Sequence, residues 1–396
     1  MREEARRILP ELVRLRRELH ADPELGLRLP RTQQRVVAAL QGLDLEITLG
    51  KELDSVVAVL RGGRPGPVVL LRADMDALPM REQTDLPYRA RGEAMHACGH
   101  DLHVAGLVGA AMLLHGRRAE LAGDVVFMFQ PGEEVADGAA RMIAEGVFDA
   151  AGKRPVAAYG IHVVPGEYGV FSTRPGPLMA GCAELDVVVR GSGGHASAPH
   201  LTIDPVPAVA ELVQALQTYV TRRFDVFDPV VLSTTQLHAG GAARNIISDE
   251  AGLGATIRML SEAALDRLRA GLPELVKGVA AAHGCAADVE IRVLCPPTVN
   301  DPALAAGALA TLDVEHARPR PPLVVTDQDG PRGGGVVERA LAEPDLVPGL
   351  DALFRVDLGS EIAHPAPIGI YDFNHCSLIR GLLTPVTAAS YDSKSL

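Results

Sequence analysis

The fold of this chain is decided by a stretch that begins Val56-Val57-Ala58-Val59-Leu60, turns at Gly62-Gly63-Arg64-Pro65-Gly66 and continues as Val68-Val69-Leu70-Leu71. Continuous apolar runs of this length are typical of strands that are buried on both faces of a sheet. Asp124–Gln130 and Val156–Val163 repeat the pattern, and the helical stretch Leu102–His115 lies among them. Alternating strands and helices predict an α/β fold in which a mainly parallel sheet is covered by helices.

The pattern changes from about Cys182, where apolar and polar residues alternate as in a half-exposed strand. The predicted order of elements is then β-α-β-β-α-β, the ferredoxin-like split unit. Its elements are Cys182–Arg190, Pro205–Arg222, Val230–Leu237, Gly252–Met259, Glu262–Ala282 and Ala287–Val293. We therefore expect an inserted domain at 181–294, and a first domain formed by 1–180 and 295–396.

Composition excludes several classes of protein. The net charge of −12 lacks the basic surplus of a nucleic-acid binder, so we expect no nucleic-acid partner. No apolar run is long enough to cross a membrane, and the charged N-terminus lacks the apolar core of a signal peptide, so we expect a cytoplasmic protein with no membrane partner. The five cysteines are scattered without paired spacing, which argues against a disulfide framework and a structural zinc module.

Four clusters of polar residues follow the predicted buried strands, and ligands bind beyond the carboxyl ends of strands in open α/β sheets. The first cluster contains Asp74 and Asp76, which alone would be read as turn or helix-cap residues. The second contains Cys98 and His100, and the favoured ligands of zinc-like cations include both residue types. A polar loop is the alternative for the second cluster.

The third cluster is the adjacent pair Glu133 and Glu134, whose mutual repulsion a nearby cation would remove. One glutamate can then bind metal while its neighbour acts as a general base. A solvated acidic helix start is the alternative. The fourth is His162, which alone would be read as a buried structural histidine. Together the clusters provide nitrogen, oxygen and sulfur ligands for two divalent cations, which would polarise a carbonyl and activate water.

The chain resembles the aminoacylase/carboxypeptidase-like metal-dependent amidohydrolases, a group that includes hippurate hydrolase, indole-acetyl-amino-acid hydrolase and N-acyl-L-amino-acid amidohydrolase. The matching strings occur in family order between residue 15 and about 300. They are Leu19-His20 with Pro23-Glu24-Leu25, Arg72–Pro79, Met95–His103, Phe129–Glu134, Gly160–Val163, Gly193–Ala196 with Pro199-His200, Asn245–Ile247 and Thr256–Arg258.

The resemblance implies a role for each residue of the metal site. Cys98 would bridge two cations, and His100, Glu134 and His162 would be terminal ligands. Glu133 would be the general base that activates water, and Asp76 would orient a ligand. The mixed ligands permit zinc, manganese, cobalt or nickel.

The resemblance also implies that the inserted domain is a lid. His195 on this domain would polarise the scissile carbonyl, while Asn245 and Arg258 would hold the substrate carboxylate. Some of these contacts come from a second subunit in the family, so we expect a homodimer or larger homo-oligomer formed through the lid. The alternative for His195 is a turn residue in a glycine-rich loop.

The C-terminal segment departs from the family pattern. The expected glycine-serine-glutamate-aspartate-phenylalanine string is replaced by a partial echo at Asp357–Glu361. The last histidine ligand stands just before a Tyr-Asp-Phe-Asn string in the family. Here Tyr371–Asn374 is present, His364 is seven residues upstream and His375 follows it directly. We expect His364 to be the ligand.

The function implied is metal-dependent hydrolysis of the amide bond of N-acyl amino acids, which are small-molecule substrates. A dipeptidase or carboxypeptidase of the same family is an alternative, because the metal chemistry would be identical. A non-catalytic relative with a degenerate C-terminal segment is another, although the Glu133–Glu134 pair argues against it.

Overall fold

The computed structural model describes residues 2–134, 137–168, 171–311, 317–319 and 367–369. Two compact units are present: one extends to Gly176 and resumes at Asn300, and the other is Pro177–Val299. Among the described residues, no helix is both long and apolar enough to cross a membrane.

The first unit opens with two helices and is built around one sheet. Its elements are α1 (Arg2–Ala21), α2 (Pro30–Ala39), β1 (Glu46–Leu49), β2 (Val56–Leu60), β3 (Arg64–Asp74), α3 (His100–His115), β4 (Ala122–Gln130), α4 (Gly138–Ala144), β5 (Ala157–Gly160), β6 (His162–Tyr168) and β7 (Phe171–Thr173). After β8 (Gly176–Met179), the second unit contains β9 (Gly181–Arg190), β10 (Gly194–His195), α5 (Pro205–Arg223), β11 (Val230–Ala239), β12 (Ile246–Ile247), β13 (Glu250–Met259), α6 (Glu262–Ala282) and β14 (Ala286–Cys295). The remaining described elements are β15 (Thr298–Asn300), α7 (Pro302–Thr311), β16 (Ala317–Pro319) and β17 (Pro367–Gly369).

The sheet of the first unit has the order β1-β2-β4-β3-β5. Strand β3 runs parallel to β4 and β5, whereas β2 is antiparallel to both β1 and β4. The α/β class is as predicted, and the sheet is mixed: β1, β3, β4 and β5 run in one direction, and β2 runs against them. The reason is the short connection between Leu60 and Arg64: parallel strands need a crossover of a dozen or more residues, so β3 must reverse direction relative to β2.

Both faces of this sheet are covered, which explains the continuous apolar runs. Along β2, Val56, Ala58 and Leu60 belong to a core that includes α1 and α3. The alternate residues Val57 and Val59 face the opposite core, which includes residues of α4. Because successive side chains of a strand point to opposite faces, every position of β2 is buried. Each such valine or leucine contributes about 1.5–3 kcal/mol of hydrophobic stabilisation.

The predicted strand at Val156–Val163 is two strands in the structure. Strand β5 pairs with β3 and ends at Gly160. Strand β6 begins at His162, which pairs with Gly369 of β17 rather than with the central sheet. His162 therefore stands beyond the carboxyl end of β5.

The second unit has the predicted β-α-β-β-α-β order. Its four long strands form an antiparallel sheet in the order β11-β13-β9-β14. Alternate residues of β9, such as Ala183 and Leu185, pack in one core with α5 and α6. The side chains of Asp204 and Ser261 cap these helices by accepting hydrogen bonds from Val206 N and Ala264 N. That this unit is a lid stays a prediction.

Candidate metal centre

The polar clusters meet at one edge of the first sheet. Strands β3, β4 and β5 are parallel and end at Asp74, Gln130 and Gly160, so the residues that follow them emerge at the same edge. The start of α3 lies there as well, with His100 as its first residue. The cluster comprises Asp74, Asp76, Cys98, His100, His103, Glu133, Glu134 and His162.

Gly99 allows the loop before α3 to approach β6. Its backbone has a φ of 80°, a conformation that other residues adopt at a cost. A Cβ atom at this position would also overlap Cγ2 of Val163, the residue after His162. The glycine between Cys98 and His100 is therefore required for both to lie close to His162.

His100 presents one ring nitrogen to the cluster. Its Nδ1 donates a hydrogen bond to the carbonyl oxygen of Asp76 at 2.7 Å. Its Nε2 is buried and has no hydrogen-bond partner among the described residues, and the same holds for Oε1 of Glu134, which is 3.7 Å away. Buried polar atoms without partners are costly, and a cation between these two would satisfy both. A histidine held through Nδ1 by a carbonyl is the usual arrangement of a metal ligand.

Three overlapping groups of side chains have the spacing of metal ligands, with potential ligand atoms within 4.8 Å of one another in each. They are Cys98 with His100 and His162, His100 with Glu133 and Glu134, and Asp74 with His100 and His103. Ligand atoms around a tetrahedral zinc ion are about 3.4–3.7 Å apart, so small movements would suffice. His162 donates from Nδ1 to the carbonyl oxygen of Val163 at 2.7 Å, which leaves Nε2 for a ligand bond.

Asp76 is buried and fixes the loop that follows β4. Its Oδ1 accepts a hydrogen bond from Glu133 N at 2.9 Å, and its Oδ2 accepts one from Glu134 N at 3.0 Å. The carbonyl of Asp76 holds His100 as described. One residue thus positions the backbone of both glutamates and the ring of a candidate ligand.

Asp74 and His103 are buried residues whose contact with each other the sequence did not predict. His103 Nδ1 donates to Asp74 Oδ1 at 2.5 Å, and its Nε2 accepts from Val163 N at 2.9 Å. Both ring nitrogens are therefore occupied, so His103 is a positioning residue for β6 although it lies near His100. His100 and His103 are three residues apart on one helix face, and this spacing could have indicated from the sequence that His103 lies beside the site.

A second buried network ties α1 to the start of α3. His20 Nδ1 lies 2.8 Å from Asp101 Oδ2, and its Nε2 lies 3.2 Å from Glu82 Oε1. Arg16 Nε is 2.8 Å from the same oxygen of Asp101. These groups hold the residue that directly follows His100. His20 belongs to the Leu19-His20 string of the family, and its role becomes visible only in these contacts.

Electrostatics favours a positive charge at the cluster. Burial lowers the pKa of His100, but the Asp74 carboxylate and the Asp76 hydrogen bond outweigh it, so this pKa lies well above its usual value. Burial raises the pKa of Glu134 and raises that of the Cys98 thiol to about 11. A divalent cation would lower both pKa values, because its positive charge stabilises the carboxylate of Glu134 and the thiolate of Cys98.

The structure brings together two of the three site residues predicted in the second unit. Exposed His195 pairs with Ile246 in the β10–β12 ribbon, and its neighbour Ala196 donates to the carbonyl oxygen of Asn245 at 2.9 Å. Strand β13 begins at Glu250, close to this ribbon, and ends at Met259. Arg258 therefore lies at the opposite end of the strand from the ribbon. Arg258 is therefore separated from His195 and Asn245 within this unit. His364 and His375 lie outside the described residues.

Cysteine, histidine and carboxylate side chains grouped at the ends of parallel strands under helices are the donor set that a metal-dependent hydrolase needs. Comparison with known proteins identifies the family. Residues 70–329 match peptidase family M20/M25/M40, and the chain belongs to this family. It is accordingly a metal-dependent amidohydrolase, and the predicted family resemblance is confirmed.

Individual relatives cover most of the chain. N-acetylcysteine deacetylase of Bacillus subtilis is 37% identical over 293 residues, which are 73% of this chain and 76% of the relative. Thermostable carboxypeptidase 1 of Saccharolobus solfataricus is 37% identical over 308 residues, 76% of this chain and 77% of the relative. Among solved structures, the Bacillus subtilis YXEP protein, a dinuclear metal-binding peptidase of the M20 family, matches with a TM-score of 0.67 and 33% identity, covering 77% of this chain and 80% of its own.

Proposed function

We propose that the chain hydrolyses the amide bond of N-acyl amino acids at a site that holds two divalent cations. The observation that carries the proposal is a pair of buried atoms, His100 Nε2 and Glu134 Oε1, that have no hydrogen-bond partner in the described part of the chain and lie beside Cys98 and His162. A buried centre with this ligand chemistry fits zinc, manganese, cobalt or nickel. The deacetylase relative acts on an N-acetylated amino acid by its name, which supports this substrate class.

The side chains have distinct proposed tasks. Cys98, His100, Glu134 and His162 would hold the cations, with Cys98 shared between the two, and His364 would complete the set. When bound, the cations supply a Lewis acid for the scissile carbonyl and lower the pKa of water.

The remaining residues move protons and hold the substrate. Glu133 takes a proton from water and passes it to the leaving amine, and Asp76 keeps Glu133 in place through its backbone. His195 donates a hydrogen bond to the carbonyl oxygen as negative charge develops there. Asn245 and Arg258 bind the substrate carboxylate, for which a guanidinium is well suited.

A dipeptidase or carboxypeptidase activity is the second candidate. The observation in its favour is the carboxypeptidase relative, which is as similar to this chain as the deacetylase. The two activities differ in what lies on the acyl side of the bond: a simple acyl group in one case and an amino acid in the other.

A metal count combined with a substrate screen tests both candidates. Chelator-treated protein should lose activity, and each of the four cations should be added back separately. The screen compares N-acetyl and N-benzoyl amino acids with dipeptides that share the same C-terminal residue. Faster hydrolysis of the acylated substrates supports the first candidate, and faster hydrolysis of dipeptides supports the second. Full activity of metal-free protein would overturn both.

A further inference from the structure

Two cysteines and an arginine lie side by side on adjacent strands of the sheet of the second unit. Cys182 on β9 is the direct register partner of Arg258 on β13 and of Cys295 on β14. Register partners of antiparallel strands have Cα atoms about 4.5–5.5 Å apart, which lies within the range that a disulfide spans. Neither cysteine is in a disulfide, and both are half-buried. The two cysteines therefore have the backbone geometry of a cross-strand disulfide.

A β-bulge turns Cys295 towards Cys182. Val293 pairs with Ala183, and the next pair is Cys295 with Cys182, so Leu294 is an extra residue. Strict alternation would place Cys295 on the same face as Val293, which packs against the helices. The Cys295 thiol instead hydrogen-bonds with the sulfur of Cys182, on the opposite face. Bulges commonly re-aim a side chain in this way.

Arg258 supplies the positive charge that a reactive thiolate needs. Its Nη1 donates to Cys182 Sγ at 2.7 Å and also to Thr256 Oγ1. The hydrogen bond from Cys295 and the Arg258 charge lower the pKa of Cys182 to about 6, while burial and the Glu184 carboxylate oppose them. At pH 7 a thiol with this pKa is mostly thiolate, at a ratio of about ten to one.

The same surroundings argue against a metal site at this pair. A guanidinium at hydrogen-bond distance from the sulfur repels a cation, whereas it stabilises a thiolate and the anions that leave it. The described cysteines elsewhere lack this combination. Burial raises the pKa of Cys285, and Cys98 belongs to the candidate metal centre.

We propose that Cys182 and Cys295 are a redox modification site, at which a hydroperoxide converts the two thiols into a reversible cross-strand disulfide. The Cys182 thiolate attacks the peroxide, so that an S–O bond forms, the O–O bond breaks and the alkoxide or hydroxide leaves with a proton. The sulfur of Cys295 then attacks the sulfenic acid of Cys182. The S–S bond forms, the S–O bond breaks, and the thiol proton leaves with the hydroxide as water.

The disulfide also changes Arg258. The guanidinium loses its thiolate acceptor and is free to turn to another anion. If Arg258 binds the substrate carboxylate, which rests on the proposed function, oxidation alters KM more than kcat. The formation of the disulfide does not depend on that function.

Peptide mapping of the metal-loaded full chain tests the proposal. Reduced protein is treated with a small excess of hydrogen peroxide at pH 7, alkylated and digested, and every cysteine is followed by mass spectrometry. We expect a linked Cys182–Cys295 peptide that a dithiol reverses, while Cys285 remains open to alkylation after unfolding. Cys295→Ser should trap Cys182 as a sulfenic acid that a 1,3-diketone probe labels. Arg258→Met should slow the disulfide roughly tenfold, since the thiolate fraction falls.

The peptide map of the peroxide-treated wild-type protein tests the proposal even if a variant fails to fold. Recovery of unlinked, alkylated Cys182 after peroxide treatment would overturn the proposal, as would oxidation of Cys285 at the same rate as Cys182. KM is measured separately on oxidised and reduced wild-type protein. An unchanged KM would contradict only the statement that oxidation affects substrate binding through Arg258.

Discussion

The two oxygens of the Asp76 carboxylate hold the backbones of Glu133 and Glu134 separately. The adjacent side chains therefore start from fixed and different positions. Oε1 of Glu134 lies 3.7 Å from His100 Nε2 and accepts no hydrogen bond from any residue that the structure describes. We expect Glu133→Gln to lower kcat by about 10²–10⁴-fold with little loss of metal, because an amide keeps the size of the side chain but cannot take a proton. Glu134→Gln should instead lower the metal content.

Metal analysis and steady-state kinetics on both variants separate these effects. Each variant is the matched control of the other, since the change in size and charge is the same. Equal loss of metal in the two variants would contradict the division of roles.

The last ligand is a prediction at the same scale. His364 precedes the Tyr371–Asn374 string in sequence, and it stands three residues before β17, in which Gly369 pairs with His162. We expect His364→Ala to lose about one cation per chain and most of the activity, because a terminal ligand is removed. His375→Ala, the control, should keep both. The reverse pattern in elemental analysis would assign the ligand to His375.

At the scale of elements, the start of α3 depends on its contact with α1. The Asp101 carboxylate and Glu82 raise the pKa of buried His20 to about 9, although burial, the largest effect, lowers it. A histidine with a raised pKa stabilises the fold fully below its unfolded value of about 6.5, and this contribution disappears as the pH rises to 9. A shift of this size corresponds to about 3 kcal/mol.

We expect the free energy of unfolding of the wild-type protein to fall between pH 6.5 and 9, and we expect His20→Gln to lack this decrease. Urea unfolding at several pH values measures it for both proteins. A pH profile of wild type identical to that of His20→Gln would show that His20 is not charged in the folded protein.

The elements show what the sequence could and could not predict. Periodicity located the strands at Val56–Leu60 and Ala122–Gln130 and the whole β-α-β-β-α-β unit within a few residues, because burial imposes the pattern directly. Strand direction leaves no such pattern when both faces are buried, so the reversed direction of β2 was missed. The role of His103 was missed for a similar reason: its partners Asp74 and Val163 are distant in sequence and meet only after folding.

At the scale of the whole molecule, the positions of Arg258 and of the His195–Asn245 pair bear on assembly. Arg258 lies eight positions after Glu250 in β13, which corresponds to about 26 Å of extended strand. A small amino-acid substrate does not reach across that length. We therefore infer that a complete site takes Arg258 from one chain and His195 from a second, in a homodimer with two-fold symmetry.

Mixing two inactive variants tests this arrangement. His195→Ala and Arg258→Ala should each be strongly impaired as homodimers. After subunit exchange of equal amounts, half of the dimers are mixed and each has one intact site, so we expect up to about a quarter of the wild-type activity. Sedimentation analysis establishes that exchange has occurred. Exchange without any recovery of activity would mean that both residues serve the site of their own chain.

The short connection from β2 to β3 has a consequence for synthesis of the chain on the ribosome. These strands leave the ribosome together, joined by Arg61-Gly62-Gly63, yet the strand that separates them in the sheet, β4, is translated only after α3. Hairpins close in about 1–10 μs, whereas translation adds about 5–20 residues per second. During these seconds β2 and β3 of the nascent chain can pair as a hairpin, an arrangement that the folded sheet does not contain. That hairpin must open before β4 can enter between its arms, so arrival of the later strand, rather than the earlier pairing, commits the chain to its native topology.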